Sequence, residues 1–271
     1  MHPFPYVILR LIRHFLPESI TRFLLRRNLI IHPGRDTAAP KQSVDQYIQE
    51  LRAHGISPAG KHILVFGYGG SFAVAAELLG RGAAHVTLCD KFAPPNEYLN
   101  TTLITVFPRY FHAAPEGIRP SPEFISLYQA DIRDLTDDIQ PVDIVVSTSV
   151  YEHLPAGEVD SITAALAKLT RPGGIGIHFI DLRDHYFKYP FEMLTFSEPT
   201  WRKWLNPTSN LNRYRFRDYV SVFEKHFLEI KVEILERDYE NFQLVSSRIR
   251  PEFLSNDIQL DTATLIKVIC I

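Results

Sequence analysis

The first residues whose types and spacing suggest a chemical role form a glycine-rich turn, Gly67-Tyr68-Gly69-Gly70-Ser71. Asp90 follows about 20 residues further on. Glycine allows positive φ and lets a ligand approach the backbone closely. A helix that starts beyond the turn would add free N–H groups that favour a polar ligand. A carboxylate at Asp90 can accept hydrogen bonds from both hydroxyls of a ribose. A glycine turn alone is also typical of a tight loop, but together with this acid it indicates a nucleoside-binding site.

Titratable side chains form two further groups, each directly after a predicted strand. Glu152 and His153 follow one strand, and Asp181, Asp184 and His185 follow the next. Because imidazole titrates near neutral pH, His185 is our first candidate for a general base, oriented by Asp181 or Asp184. The alternative is a polar loop held by a salt bridge. His153 is a second catalytic candidate, although capping or orienting its own loop is the simpler interpretation for it and for Glu152.

These groups need a framework that brings the ends of several strands to one edge. The apolar run Ile63–Phe66 is typical of a strand buried on both faces, and the Ala- and Leu-rich run Phe72–Leu79 predicts the next helix. The same patterns predict further strands at 85–89, 124–128, 142–147, 175–180, 227–235 and 264–271, and helices at 42–54, 98–106, 156–169 and 217–227. This alternation predicts a mainly parallel α/β sheet, and the two late strands suggest an antiparallel hairpin.

Composition narrows the class of protein. The 271 residues are 45% hydrophobic and 22% charged, with a net charge of -2, which suits one large α/β core and gives no argument for nucleic acid binding. Cys89 and Cys270 lie in apolar runs, which favours buried thiols in a reducing, cytoplasmic compartment. The sequence has no Cys/His cluster and no apolar run of transmembrane length, so we expect no metal site and no membrane span.

Residues 1–31 differ from the rest because apolar residues at helical spacing alternate with basic ones. The charged residues are Arg10, Arg13, Arg22, Arg26 and Arg27, against a single Glu18. A signal peptide is disfavoured, because Arg10 and Arg13 interrupt its would-be apolar core. Helices that cover the active site or pack on the main domain are the simpler interpretation; a basic amphipathic surface resting on anionic lipid is the alternative. We therefore divide the chain into an N-terminal extension with a linker, 1–41, and a main domain, 42–271.

An aromatic-rich insertion, about 186–216, follows the predicted fifth strand. It can form a cover over the substrate or a small satellite core, and the two roles are compatible. Arg213, Arg215 and Arg217 alternate at its end and could hold a phosphate or carboxylate, although a salt-bridged surface is the commoner arrangement. The substrate contacts that we expect are Tyr151, Tyr186, Trp201 and Arg213.

Five short motifs occur in the order and spacing of one enzyme family. They are Phe66–Gly70, Asp90, Ala130–Ile132, Val145–Leu154 and Leu169–Gly174. On these motifs, the part of the chain from residue 42 resembles the class I S-adenosylmethionine-dependent methyltransferases. The resemblance implies a Rossmann-like α/β fold: a seven-stranded, mostly parallel sheet with an antiparallel final hairpin and helices on both faces. The helical N-terminal extension is an addition to it.

The resemblance also implies the cofactor, S-adenosyl-L-methionine, and the residues that bind it. These are Phe66, Gly67, Tyr68, Gly69, Asp90, Lys91, Asp131, Ile132, Ser147 and Thr148. Asp131 would accept a hydrogen bond from the adenine amine, or alternatively cap the short segment after it. The chain departs from the family pattern at Val65, where an acid is usual, and at Ser71, where a third glycine is usual. Loss of that acid would weaken a contact to the amino group of the cofactor.

We therefore expect a methyltransferase that acts on O, N or C of a medium-sized small molecule, such as a secondary metabolite or a lipid or sugar precursor. Its main task would be to align nucleophile, methyl group and sulfur and to exclude water. Two other classes stay open. A nicotinamide-dependent oxidoreductase would also fit the glycine turn and Asp90, and Val65 suggests a non-catalytic member that binds the cofactor. Peripheral membrane contact through residues 1–31 is a further hypothesis.

Overall fold

A computed structural model describes residues 4–15, 39–115, 117–184, 188–206 and 211–271 of the chain. The strands in these residues are β1 His62–Phe66, β2 His85–Cys89, β3 Phe111–Ala114, β4 Gly117–Pro120, β5 Ile125–Tyr128, β6 Val142–Thr148, β7 Thr170–Asp181, β8 Ile230–Arg237 and β9 Ala263–Cys270. Seven of them form one sheet in the order β5-β2-β1-β6-β7-β9-β8. The first five of that order are parallel, and β9 runs antiparallel to both β7 and β8.

Helices surround this sheet. The α-helices are α1 Phe4–Phe15, α2 Pro40–Ala53, α3 Ala73–Gly80, α4 Glu97–Asn100, α5 Leu103–Val106, α6 Val159–Leu169, α7 Glu198–Thr200, α8 Phe216–Glu224, α9 Tyr239–Val245 and α10 Ile258–Asp261. Shorter 3-10 segments are Ile132–Leu135, Tyr151–His153, Glu192–Thr195, Ser246–Arg248 and Pro251–Phe253, and Trp201–Leu205 is a π-helical turn.

The side chains of β1 alternate between the two faces of the sheet, and helices cover both faces, so the fold has three layers. Ile63 and Val65 point into one hydrophobic cluster, which α2 and α3 cover. Leu64 and Phe66 point into the opposite cluster, which α6 and α8 cover. Both faces of the strand are therefore buried, as its continuous apolar run predicts. The predicted seven-stranded sheet with an antiparallel final hairpin and helices on both faces is confirmed.

Some local expectations differ from the structure. The predicted helix 98–106 is two separate helical turns, α4 and α5. The β3–β4 hairpin was not predicted, because its strands are only four residues each and lack a clear apolar alternation. Strand β7 begins at Thr170, five residues before the predicted start, so the Pro-Gly-Gly segment belongs to the strand.

A third hydrophobic cluster lies apart from the two faces of the sheet. We call residues 188–206, 211 and 239–254 the cover lobe; its buried side chains include Phe191, Met193, Leu194, Trp201, Phe242 and Ile249. Helix α1 packs on this lobe through Tyr6, whose ring contacts those of Tyr189 and Phe196. The aromatic insertion thus builds a satellite core, to which 239–254 adds a part that the sequence did not predict. Within the described residues, no helix combines the length and the apolar character needed to cross a bilayer.

Candidate functional site

The glycine loop between β1 and α3 has the backbone that only glycine adopts easily. Gly67, Gly69 and Gly70 have φ values of 80°, 63° and 80°. A Cβ on Gly67 would lie 2.3 Å from Val150 Cγ2, and one on Gly70 would lie 2.5 Å from the Pro94 carbonyl oxygen. The loop is therefore packed against the segment after β6 on one side and against the segment after β2 on the other. Gly69 stays exposed, so a ligand can reach the backbone there.

Asp90, at the end of β2, is hydrogen-bonded to this loop. Its Oδ2 accepts a hydrogen bond from the Gly69 N–H at 3.1 Å, and its Oδ1 accepts from the Phe92 and Ala93 N–H groups at 2.8 Å each. An ionised carboxylate has about four acceptor positions, so a position on Oδ2 remains for a ligand hydroxyl. The sequence predicts that Asp90 and the glycine loop bind the same ligand, and in the structure the two are in direct contact.

The side chain of Tyr68 packs inside the protein instead of lining the loop surface. The residue is 3% exposed, its ring stacks on Phe72, and its hydroxyl has no hydrogen-bond partner within the described residues. Burial, and next the charge of Asp90, raise the pKa of this hydroxyl well above its ordinary value. Phe66 is also buried, edge-on to Tyr151.

Asp131, after β5, is engaged by two basic side chains. The Arg133 guanidinium donates to both of its oxygens at 2.9 and 2.6 Å, and Lys91 Nζ donates to Oδ2 at 2.9 Å. It also caps the segment Ile132–Leu135 by accepting from the Arg133 N–H. These hydrogen bonds, first those from Arg133, lower the pKa of Asp131 well below its ordinary value. The capping interpretation is therefore satisfied, while Ile132 is buried beside it; contact with adenine stays a prediction.

The hydroxyls of Ser147 and Thr148, at the end of β6, point into the protein. Ser147 Oγ lies 2.8 Å from His178 Nδ1, and Thr148 Oγ1 lies 2.6 Å from the Tyr47 hydroxyl. Burial lowers the pKa of His178 to about 3, so this imidazole is neutral. Both hydroxyls therefore already have a side-chain partner inside the protein, which the sequence prediction did not foresee.

The turn that follows β6 has an unusual backbone and an unusual acid. Ser149 has a φ of 55°, in the left-handed region that non-glycine residues adopt at some cost, and its N–H donates to the Phe179 carbonyl at 2.9 Å. Glu152, three residues on, is 3% exposed. Burial, and next the charge of Asp181, raise the pKa of Glu152 well above its ordinary value. The sequence singled out the pair Glu152 and His153, but nothing in it indicated the strained serine.

The acids after β7 are placed differently from the expectation. Asp181 accepts three side-chain hydrogen bonds from Arg183, at 2.9, 3.2 and 2.7 Å. Asp184 is fully buried and pairs with Arg10 and the Tyr6 hydroxyl of α1. The structure therefore contains the salt-bridged loop of the alternative interpretation, in which both carboxylates accept from basic side chains; their orientation of an imidazole stays a prediction. His185 itself lies outside the described residues, and His153 is half-buried in its 3-10 turn.

The expected substrate contacts are mainly core residues. Tyr151 is fully buried between the sheet and α8, and Trp201 is 2% exposed within the cover lobe. Arg213 is also buried; it donates to the Met193 and Phe196 carbonyls and pairs with Glu198, so it braces the cover lobe. A substrate role for these three side chains is not favoured by their placement. Tyr186 lies outside the described residues.

Two supporting residues were missed by sequence reasoning. Tyr47 of α2 reaches the end of β6, and Asn212 donates from its side chain to the Tyr151 and Leu154 carbonyls at 2.7 and 3.0 Å. Both act on segments that are 58 or more residues away in the chain, so no local pattern could have indicated them.

Comparison with solved structures identifies the fold. Magnesium protoporphyrin IX methyltransferase from Synechocystis PCC 6803, solved with S-adenosylhomocysteine, aligns with a TM-score of 0.53 at 13% identity over 97% of this chain and 98% of that one. An O-methyltransferase family protein from Burkholderia thailandensis aligns with a TM-score of 0.52 at 10% identity over 93% of this chain and 62% of that one. No protein-family model matches the sequence, and no curated protein is significantly similar to it. The chain thus has the fold of the class I S-adenosylmethionine-dependent methyltransferases.

Proposed function

We propose that this chain is an S-adenosylmethionine-dependent methyltransferase. The observation that carries the proposal is the contact between the Gly69 N–H and the Asp90 carboxylate at the carboxyl ends of β1 and β2. Parallel α/β sheets bind ligands at this edge, and the two groups fit the methionine and ribose parts of the cofactor. Both structures named above, in this same fold, are described as methyltransferases, one of them solved with S-adenosylhomocysteine.

The chemistry divides between cofactor and protein. Bound S-adenosylmethionine supplies a methyl group on a positively charged sulfur, ready for in-line displacement. The residues of this chain bind and orient: Asp90 would hold the ribose, and the exposed backbone at Gly69 would approach the methionine end. The cover lobe, which lies beyond the ends of β7 and β8, would exclude water from the methyl group.

We propose a medium-sized, partly apolar small molecule as the methyl acceptor. Support comes from the apolar cover lobe, whose aromatic and aliphatic side chains form their own cluster at the site edge. His185 and Tyr186 are the residues that we propose for proton removal and substrate contact, because the chain places them between β7 and this lobe. The free, buried thiols of Cys89 and Cys270 fit a reducing, cytoplasmic setting.

Binding tests the first part of the proposal. Isothermal titration of the full chain with S-adenosylmethionine and with S-adenosylhomocysteine should show saturable binding of both. The variant Asp90→Asn should lose about tenfold or more in affinity for each, because an amide cannot replace a charged acceptor. Asp137→Asn, at an exposed carboxylate far along the chain, is the matched control and should bind normally. Absence of binding to both ligands would end the proposal.

One observation favours a second candidate, a member of the fold that binds the cofactor without transferring its methyl group. Val65 stands where the family has an acid, and it is fully buried in the hydrophobic core, so no polar group replaces the acid there. Labelled S-adenosylmethionine, offered with a panel of hydroxyl- and amine-bearing small molecules, separates the two. Transfer to any member of the panel supports the enzyme; tight binding without transfer favours the second candidate.

For the N-terminal segment, we propose contact with an anionic membrane surface. The face of α1 opposite the cover lobe is apolar and exposed: Phe4, Leu9, Ile12 and Phe15 are 76%, 47%, 53% and 71% accessible. The sequence of 1–31 adds arginines against one glutamate, which complements anionic lipid. Because Tyr6 and Arg10 face inward, α1 can cover the lobe and touch lipid at once.

Sedimentation with vesicles tests the membrane contact. The full chain should pellet with phosphatidylserine-containing vesicles and not with neutral ones. The double variant Leu9→Glu/Ile12→Glu should stay in the supernatant, whereas Leu228→Glu, at a fully exposed leucine elsewhere, should pellet normally. Equal pelleting of the α1 variant and the wild type would reject this role.

A further inference from the structure

Glu152 is a buried carboxylic acid whose two oxygens accept no hydrogen bond of normal geometry within the described residues, although the Ser149 side chain and the Asp181 backbone lie close enough to act on its pKa. It is 3% exposed and lies in the 3-10 turn directly beyond β6. Leaving a buried polar group without a partner is costly, and native structures rarely do so without a functional reason. The position therefore points to a bound ligand group that supplies the missing positive charge or hydrogen-bond donors.

Other acids at this edge of the sheet already have partners. The Asp131, Asp181 and Asp184 carboxylates pair with Arg133, Arg183 and Arg10 respectively. Asp90 accepts three backbone N–H groups. Among these carboxylates at the edge of the sheet, Glu152 is the one whose oxygens accept no hydrogen bond by geometry within the described residues.

The sheet order fixes which end of the cofactor would meet Glu152. Asp90 stands at the end of β2, and the glycine loop at the end of the neighbouring strand β1. A nucleoside held there with its base towards β5 must extend its sulfur end the other way, towards β6. Val150, which follows β6 and precedes Glu152 by two residues, touches the position of Gly67. Glu152 thus lies on the side of the glycine loop where the sulfur would be.

We propose that the Glu152 carboxylate faces the positively charged sulfonium of S-adenosylmethionine, an inference that rests on the proposed function. The sulfonium carries a permanent charge, whereas the thioether of S-adenosylhomocysteine is neutral, and the two ligands share every other charged group. A carboxylate at this point therefore favours the methyl donor over the demethylated product. After transfer the carboxylate loses its charged partner, which favours release of the product.

Several groups that surround Glu152 act on its pKa, and a bound sulfonium would act on it too. Asp181 and Arg183 face it from the end of β7, and Tyr219 faces it from α8. Burial and the charge of Asp181 raise the pKa of Glu152, so the protein without cofactor holds the proton at pH values where an exposed glutamate is ionised. Binding of the sulfonium then releases this proton. Affinity for S-adenosylmethionine accordingly rises with pH until the raised pKa is reached, while affinity for S-adenosylhomocysteine does not.

Titration calorimetry of the full chain in buffers of different ionisation enthalpy tests the proposal. Wild-type protein should release up to about one proton per S-adenosylmethionine bound and none per S-adenosylhomocysteine. Glu152→Gln should abolish this difference, lose about tenfold in affinity for the methyl donor and stay within about twofold for the product. Glu224→Gln, at an exposed glutamate of α8, is the matched control and should behave as wild type.

The possible outcomes distinguish a failure of this inference from a failure of the proposed function. If the wild type binds both ligands but Glu152→Gln weakens them equally, or weakens neither, the sulfonium contact is wrong and the cofactor site stands. If the wild type binds neither ligand, both proposals fail. The proton release of the wild type is read without any variant, so a misfolded Glu152→Gln protein would not leave the question open: equal proton release with the two ligands contradicts the proposal.

Discussion

Gly67 meets two separate requirements, a left-handed backbone and the absence of a Cβ. Its φ is 80°, and an added Cβ would lie 2.3 and 2.8 Å from the two methyl groups of Val150. Gly60 has a similar φ of 72°, but an added Cβ there would meet nothing within 4 Å. The chain thus offers one glycine that isolates the backbone requirement and another that adds the steric one.

Alanine at these two positions should therefore have unequal effects. Gly60→Ala should lower the free energy of unfolding by about 1–2 kcal/mol, the cost of the left-handed region. Gly67→Ala should lose a further ~1–3 kcal/mol from overpacking, and Val150→Ala in the same chain should recover part of that loss. Urea denaturation of the four proteins checks this. Equal losses at the two glycines would show that Val150 does not constrain the loop.

A second prediction about a single residue concerns Glu152 and the stability of the protein without cofactor. Because its pKa is raised above the ordinary 4.5, the folded state holds the proton more tightly than the unfolded state does. This contribution is full below pH 4.5 and is lost as the pH rises through the raised pKa. Glu152→Gln removes the titration, so the variant should gain stability over the wild type as the pH increases. Thermal unfolding at pH 5 and pH 8 measures it; a constant difference between the proteins at the two pH values would contradict the assignment.

Residue by residue, the sequence predicts what local geometry determines. The contact of the glycine loop with Asp90 follows from a strand, a turn and a helix close together in the chain. The directions of the Ser147 and Thr148 hydroxyls do not, because they depend on His178 and Tyr47, which are 31 and 101 residues away. Buried partners at that separation leave no periodic signal.

Helix α1 is joined to the cover lobe by a buried ion pair. Arg10 pairs with Asp184, which also accepts from Tyr6, and its guanidinium lies 4.6 Å from the centre of the Trp201 ring. It also donates to the Leu205 carbonyl at 3.0 Å. One N-terminal element thereby fixes both the loop after β7 and the lobe that follows it.

Breaking this pair from one side should release the helix. Arg10→Met leaves the Asp184 carboxylate buried without its cation, and we expect a loss of about 3–5 kcal/mol, with faster amide exchange in α1. The double variant Arg10→Met/Asp184→Leu should recover much of that loss. Arg81→Met, which breaks an exposed pair with Asp45, is the control and should cost less than about 1 kcal/mol. Hydrogen exchange by mass spectrometry distinguishes them; unchanged protection of α1 in Arg10→Met would contradict this role.

Among the elements, long and strongly patterned ones were predictable. Strand β2 has the predicted bounds, and helices α3 and α8 lie within a few residues of theirs. The β3–β4 hairpin and helix α9 were not predicted, since they are short and mix polar with apolar residues. Their stability comes from packing on other elements, which one-dimensional patterns do not record.

At the scale of the whole molecule, the architecture follows from the order of its elements. Alternating strands and helices give the parallel part of the sheet. The antiparallel end consists of β8 and β9, because the segment between them does not make the crossover that parallel neighbours need. What the order could not show is that residues 188–206 and 239–254 meet in one lobe, because about 30 residues, including helix α8 and strand β8, separate them.

The sheet order also gives the site its direction, from Asp131 and Asp90 at one end to Glu152 and the cover lobe at the other. The most direct test is a crystal structure of the chain with bound S-adenosylhomocysteine. We predict its ribose within hydrogen-bonding distance of the Asp90 carboxylate and its sulfur on the β6 side of the glycine loop, towards Glu152. A ligand bound elsewhere, or one whose ribose makes no contact with Asp90, would contradict the proposed site.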